Sequence, residues 1–407
     1  MQPVHGGNLA WAAAIAGCDS EAILDFSASI NPLGPPQSAI AAIQSAISQL
    51  SSYPDPNYSE LRTALAQVHQ LPPEWILPGN GSADLLTWAG WDLSELAATY
   101  LVTPAFGDYW RALKAFGAKV VECPLDLEAR GERQEARVVG AGFLRIPALE
   151  QMILGLNPPV LESVDKGDNS QIAIRNSRFT INSEFRIPNS EFPLASAKCG
   201  LLLNNPHNPT GWLWRREEIL PYLEQFALVV VDEAFMDFLP PAAEQSLIPL
   251  VQKYPNLVIL RSLTKFYSLP GLRLGYAIAH PERLNCWLAR RDPWAVNTLA
   301  VAAAIAVLQD SQFQQQTWAW LPPTRSRLEH GLSQIPGLQP LPGAANFLLV
   351  ESERPSSKLQ QQLLKHERIL IRDCLSFPEL GDRYFRVAVR STTENERLIK
   401  ALWQITT

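Results

Sequence analysis

The sequence predicts an α/β protein whose core is a mainly parallel sheet covered on both faces by helices. From about residue 70 to 285, short apolar runs alternate with helix-length segments. The runs are apolar throughout, the pattern of strands buried on both faces rather than one. The residues with chemical character fall just after these runs, at the carboxyl ends of strands, where such sheets gather ligands.

Taken in order, the N-terminus Met1-Gln2-Pro3-Val4-His5-Gly6-Gly7 has no basic stretch followed by an apolar core. No secretory signal is visible, and a cytoplasmic location is expected. The strand candidates of the large domain are Trp75-Ile76-Leu77, Thr99-Tyr100-Leu101-Val102, Lys119-Val120-Val121, Gly200-Leu201-Leu202-Leu203, the run 226–231 and Leu257-Val258-Ile259-Leu260. A helical region around 301–308 then leads to Asn346-Phe347-Leu348-Leu349-Val350, Ile369-Leu370-Ile371 and Tyr384-Phe385-Arg386-Val387-Ala388-Val389. This last third reads as a smaller α/β domain. The expected division is an N-terminal segment over 1–50 packing with the small domain, a large domain over 51–285 and a small domain over 286–407.

Composition bounds the partners. A chain of 407 residues, 47% of them hydrophobic, can bury a sizeable core. A net charge of −6 argues against a nucleic-acid backbone as partner. No apolar run approaches the ~20 residues that a membrane span requires. The five cysteines are scattered without paired spacing, and none of the six histidines forms a metal-ligand pair, so no metal is expected.

The chemistry centres on Lys265, in the run Ser262-Leu263-Thr264-Lys265-Phe266-Tyr267-Ser268-Leu269-Pro270-Gly271-Leu272-Arg273. A lysine amine held away from water can form a Schiff base with a carbonyl cofactor. Ser262, Thr264 and Arg273 surround it with anion-binding groups. An aldehyde for the lysine and a phosphate for its neighbours together describe pyridoxal 5'-phosphate (PLP). Upstream, the apolar run 226–231 delivers Asp232 at its end, the acidic partner that the pyridine nitrogen needs.

Other motifs are individually ambiguous. Gly79-Asn80-Gly81-Ser82 suits either a plain strand-to-helix turn or a phosphate cradle at a positive helix end. Phe106 is either a core residue or a ring stacked on the cofactor. Asn208, in Asn205-Pro206-His207-Asn208-Pro209-Thr210-Gly211, belongs either to a proline-rich turn or to a contact with the cofactor's ring oxygen. Arg386 lies within a strand, where its charge needs a partner: a structural carboxylate or a substrate anion. Tyr53, in Tyr53-Pro54-Asp55-Pro56, is otherwise a loop aromatic.

Together these motifs resemble the fold-type I PLP enzymes, in the branch containing the histidinol-phosphate aminotransferases. Within that branch they are most similar to the threonine-phosphate decarboxylases of cobalamin biosynthesis. The likeness rests on His5-Gly6-Gly7-Asn8, on Asp25-Phe26-Ser27-Ala28-Ser29-Ile30-Asn31-Pro32-Leu33-Gly34 and on two aromatic replacements. Phe235, in Asp232-Glu233-Ala234-Phe235, stands where the aminotransferases usually have a tyrosine. Trp294, in Pro293-Trp294-Ala295-Val296-Asn297, stands where they usually have tyrosine or phenylalanine. The likeness runs from His5 to about Val389 with 161–195 unmatched.

The resemblance implies a large domain with a mainly parallel seven-stranded sheet and a smaller C-terminal α/β domain. It implies that Lys265 bears the cofactor, Asp232 holds the pyridinium nitrogen, Phe106 stacks and Asn208 contacts the ring oxygen. Gly81, Ser82, Ser262 and Arg273 would hold the cofactor phosphate, with Tyr53 reaching it from the other subunit of a homodimer with a shared site. His5, Gly6, Ser29, Asn208, Arg372 and Arg386 would hold a phosphorylated amino-acid substrate. Ser29 departs from the decarboxylase pattern, which has asparagine there. The implied activity is decarboxylation of phosphothreonine, with transamination of histidinol phosphate as the alternative. A non-catalytic PLP-binding module fits less well, because Lys265 and Asp232 are both intact.

Residues 161–195 turn polar and carry a near-repeat, Asn176-Ser177-Arg178-Phe179, Asn182-Ser183-Glu184-Phe185 and Asn189-Ser190-Glu191-Phe192. This composition reads as a disordered surface insertion, with an interaction motif as the alternative. Replacing residues 162–194 with a short Gly/Ser linker is therefore expected to leave solubility and activity nearly unchanged, since closing a shorter loop costs less entropy. An insoluble or inactive deletion protein would show that the segment packs on the core.

Overall fold

A twisted sheet of seven strands, in the order β2-β8-β7-β6-β5-β3-β4, forms the larger layer of the molecule. The computed structural model describes residues 6–127 and 198–406. His5 and the polar segment 161–195 lie outside the described residues. The strands are β2 (Ile76–Asn80), β3 (Ala98–Thr103), β4 (Val120–Pro124), β5 (Cys199–Asn204), β6 (Leu228–Asp232), β7 (Leu257–Ser262) and β8 (Leu274–Ala279). All pair in parallel except β8, which runs antiparallel to both β2 and β7.

The apolar runs explain why these strands lie in the middle of the layers. Side chains alternate across a sheet. Leu201 and Leu203, Val229 and Val231, and Leu257 and Ile259 therefore enter one core, while Leu202, Val230, Val258 and Leu260 enter the core on the opposite face. Each such buried side chain contributes about 1.5–3 kcal/mol relative to exposure. A strand with one wet face could not use an unbroken apolar run. These could only be central strands.

Strand β8 is absent from the sequence-based candidates because its run, Leu274-Gly275-Tyr276-Ala277-Ile278-Ala279, contains glycine and reads as the tail of the lysine motif. The glycine is there because strand β8 passes close to the turn after β2. A Cβ on Gly275 would lie 2.5 Å from Ser82 N and 2.6 Å from Arg261 O, both backbone atoms. The run 226–231 also shifts, since the strand starts at Leu228 and ends on Asp232 itself.

The smaller layer is antiparallel, in the order β12-β13-β10-β9, with β9 (Leu338–Pro340), β10 (Phe347–Ser352), β12 (Arg372–Asp373) and β13 (Tyr384–Ala388). A separate parallel pair joins β1 (Leu24–Asp25) to β11 (Ile369–Leu370), so the run Ile369-Leu370-Ile371 ends one sheet, and Ile371 links it to β12 of the other. The long helix Ser311–Ser333 contains Pro322 and Pro323, and its extent is not evident from the sequence, where prolines normally end a helix. Phe313, Thr317, Leu321, Thr324, Leu328 and Leu332 are buried along one of its faces. That stripe holds the helix together across the prolines. No helix among the described residues is long and apolar enough to cross a membrane.

Candidate active site

Three strand ends converge where the sequence placed the chemistry. β6 ends on Asp232 and β7 ends on Ser262, which also caps the short helix Leu263–Phe266 carrying Lys265. β2 ends at Asn80, and Gly81 caps the helix Ser82–Ser94. Gly81 has φ +76°, in the region that favours glycine, and a Cβ there would meet Arg273 Nη2 at 2.5 Å. The backbone is thus bare where the arginine approaches the first turn of a helix, which is an anion-binding arrangement.

The lysine is half-buried and poised. Its Nζ donates to Thr264 Oγ1 at 3.2 Å and lies 6.0 Å from the centre of the Phe235 ring. Burial pushes its ammonium below the ordinary lysine range, with the Arg273 and Arg386 charges adding to this and Asp232 opposing it. Ser262 Oγ and Thr264 Oγ1 are 2.7 Å apart, so these hydroxyls form one small polar cluster beside Lys265.

Asp232 is held by two donors. Ala234 N–H donates to Oδ1 at 2.9 Å, and Tyr109 O–H donates to Oδ2 at 2.8 Å. Burial raises its proton affinity, while the Tyr109 and Ala234 donors and the Lys265 charge favour the carboxylate. Beneath it, Glu233 and Arg261 form an ion pair at 3.0 Å, extended by Ser246 Oγ, which donates to Glu233 at 2.6 Å. This buried pair ties the end of β6 to the end of β7, so that Asp232 and Ser262 keep a fixed separation.

A second group of residues lies on the side of the small sheet. Arg372 and Arg386 are direct cross-strand partners in β12 and β13. Like charges directly opposite each other are unfavourable unless an anion joins them. Arg386 donates through Nη1 to Asn208 Oδ1 and through Nη2 to Ser27 O at 3.1 Å. Among the described residues no carboxylate lies within ion-pair distance of it, and its Nε has no hydrogen-bond partner. Burial, with Arg372 adding to it, pushes this guanidinium down to about 10. A structural salt bridge is therefore not what holds Arg386. Arg372 donates to Ser376 Oγ at 2.6 Å and lines a small concavity with Gly6, Gly7, Asn8, Ser27 and Gln360. Ser27 closes this corner, accepting from Gly7 N–H at 2.8 Å.

The other expected residues divide. Asn208 is buried, and its side-chain oxygen accepts from Arg386. Phe106 caps the helix Gly107–Ala115 and lies edge-on to Tyr109, with ring centres 5.9 Å apart. Ser29 is buried, and its Oγ has no partner among the described residues. Tyr53 is 79% exposed, its ring centre 4.6 Å from that of Trp294. Sequence reasoning missed Tyr109 and Asn31. Asn31 N–H donates to Lys265 O at 3.1 Å and its side chain to Phe266 O at 2.8 Å, fixing the N-terminal segment to the lysine turn. The three-residue spacing of Phe106 and Tyr109 on one helix face is the signal that points to Tyr109.

The donor set fits pyridoxal 5'-phosphate. An amine below its usual proton affinity, an anchored carboxylate, an amide donor and a bare helix end with an arginine are the groups that an aldehyde, a pyridine nitrogen, a ring oxygen and a phosphate require.

Comparison with known proteins agrees with this arrangement. Residues 21–135 and 188–402 match the family "Aminotransferase class I and II". The chain is 37% identical to threonine-phosphate decarboxylase of Salmonella typhimurium, over 99% of this chain and 96% of that protein. It is 32% identical to histidinol-phosphate aminotransferase of Symbiobacterium thermophilum, over 91% of this chain and 87% of the relative. The crystal structure of histidinol-phosphate aminotransferase from Clostridium acetobutylicum superposes with a TM-score of 0.74 at 26% identity, covering 94% of this chain and 99% of that one.

Gly275→Ala tests the phosphate end of the site. Its methyl group would press on the backbone of Ser82 and Arg261, so a stability loss of about 1–3 kcal/mol is expected. Affinity for pyridoxal phosphate should fall with it, as the turn at Gly81 and Ser82 shifts. Thermal unfolding with and without the cofactor reads both effects, and a variant matching the wild type in both would contradict the assignment.

Proposed function

The chain belongs to the aminotransferase class I and II family, and from that premise we propose that it is a PLP-dependent decarboxylase of O-phospho-L-threonine. The product is (R)-1-amino-2-propanol phosphate, a building block for cobalamin. The architecture is the fold-type I one, a large domain on a mainly parallel seven-stranded sheet with a smaller C-terminal α/β layer.

The observation that carries this reading is the pair of cross-strand arginines: Arg372 lines the Gly6–Gly7 corner, and Arg386 is buried against Ser27 with no carboxylate in ion-pair distance among the described residues. Two buried cations at one end of a site suit a substrate carrying both a phosphate and a carboxylate. Phe235 supports decarboxylation over transamination. It offers a ring beside Lys265 Nζ and no hydroxyl.

When bound, pyridoxal phosphate supplies an electron sink at its protonated ring, open to whichever substrate Cα bond stands perpendicular to it. The residues of this chain decide which bond that is. Arg386, held by Asn208 and by Ser27 O, grips the carboxylate, while Arg372 and Gly6 grip the phosphate. Fixing both ends of the substrate fixes rotation about Cα, and orientation of this kind can supply several kcal/mol of the barrier. Asp232, held by Tyr109 O–H and Ala234 N–H, would receive the ring nitrogen's proton as a hydrogen bond. Lys265 Nζ, less basic than an ordinary lysine, is the group that can return a proton to Cα once CO2 has left.

The reading includes a cytoplasmic homodimer with a shared site. Tyr53 is presented outward on Trp294, which suits a side chain that completes the phosphate site of a second copy. The five cysteines are all free, as in a reducing compartment. A second reading, transamination of histidinol phosphate, is favoured by Ser29, whose shorter side chain lacks the amide of the decarboxylase pattern.

With O-phospho-L-threonine and PLP, the protein is expected to release CO2 and form the amino-propanol phosphate without any keto-acid acceptor. With L-histidinol phosphate and 2-oxoglutarate it should be far slower. Ser29→Asn should keep or improve phosphothreonine turnover. Glutamate formation from histidinol phosphate outpacing CO2 release would overturn the decarboxylase in favour of the aminotransferase.

A further inference from the structure

Tyr109 lies at the third position of the helix Gly107–Ala115, one turn beyond Phe106. Its side chain is buried, and its ring meets the Phe106 ring edge-on at 85°. The hydroxyl donates to Asp232 Oδ2 at 2.8 Å, while Oδ1 takes the Ala234 N–H at 2.9 Å. Each carboxylate oxygen has two acceptor sites, so one donor on each oxygen fixes the rotation of the carboxylate and leaves an acceptor site on both. Asp232 is thereby a rigid acceptor rather than a side chain free to turn. The other ionisable groups that act on it are Lys265, from the helix after β7, and Asp108, beside Tyr109.

We propose that Tyr109 is a positioning residue for the reaction: its hydroxyl holds the Asp232 carboxylate in place as an anion and so keeps the cofactor's ring nitrogen protonated. The proposal rests on the PLP reading above. The physical reason is a competition for one proton between a ring nitrogen and a carboxylate. A donor on the carboxylate stabilises its charged form and leaves the proton on nitrogen. Removing that donor makes Asp232 the stronger base, and the proton moves toward the oxygen. The electron sink then weakens, although every atom that touches the cofactor is still present. Phe106 caps the same helix one turn earlier, so both rings are fixed by one rigid element.

Tyr109→Phe keeps the ring, its packing on Phe106 and the helix, and deletes one O–H. The test uses full-length protein loaded with PLP labelled with 15N at the ring nitrogen, followed by NMR over a range of pH. The wild type should show a protonated ring nitrogen throughout. In Tyr109→Phe the resonance should move toward the unprotonated position and do so further as pH rises. Hydrogen bonds to charged groups are worth about 1.5–3 kcal/mol, so kcat should fall by about ten- to a hundredfold with KM within about twofold. An unchanged resonance and pH profile in a variant that binds PLP would overturn the proposal, even with lower activity, because packing loss alone does not move the nitrogen signal. Wild-type protein that takes up no PLP would instead sink the functional reading on which it rests. The cofactor signal is independent of whether CO2 or an amino group leaves, so the two failures are distinct.

Discussion

Opposite charges brought together at the carboxyl edge of one sheet are the constraint on which the rest of the structure depends. Lys265 and Asp232 come from adjacent parallel strands, and Asp232 pairs in register with Leu260, two residues before Ser262. Neither charge would be stable alone in that surrounding. Each is made tolerable by named partners, Thr264 for the amine, Tyr109 and Ala234 for the carboxylate. The Arg261–Glu233 pair below them fixes the strand ends. Removing one partner of such a pair leaves an uncompensated buried charge, at a cost of about 3–5 kcal/mol.

The small sheet supplies charges of a different kind. Arg372 and Arg386 face each other across β12 and β13, and the N-terminal segment closes over them. That segment is bound at both ends of its path. Ala388 N–H donates to Phe26 O at 2.9 Å, and Asn31 donates to Lys265 O. The arginine pair and the lysine turn are therefore joined by backbone running from Phe26 to Asn31. A shift in either layer would be felt by the other, which is a physical basis for orienting one Cα bond rather than another.

Much of this was legible in the sequence, and the physical reasons differ from part to part. Strands β5, β6 and β7 announce themselves because both of their faces are buried, so their apolar runs have no interruption. Lys265, Asp232 and Asn208 stand out in the sequence because polar or charged residue types there follow apolar strand runs. Strand β8 was not legible because close backbone approach demands glycine at position 275, which dilutes the apolar signal. The helix Ser311–Ser333 was not, because long-range packing outweighs the local effect of Pro322 and Pro323. Glu233 and Arg261 were silent for a third reason. Each acts through a contact made far along the chain, between residues that sequence spacing does not bring together.

The most direct measurement of the central claim is where the cofactor attaches. Protein incubated with PLP, reduced with borohydride, digested with trypsin and analysed by mass spectrometry should give the peptide 262–273 uncleaved at Lys265. That peptide should carry one phosphopyridoxyl group, because Lys265 is the lysine whose amine is held at low proton affinity beside an anchored carboxylate. A stoichiometric label on another lysine, or an unlabelled and cleaved peptide 262–273, would contradict the account.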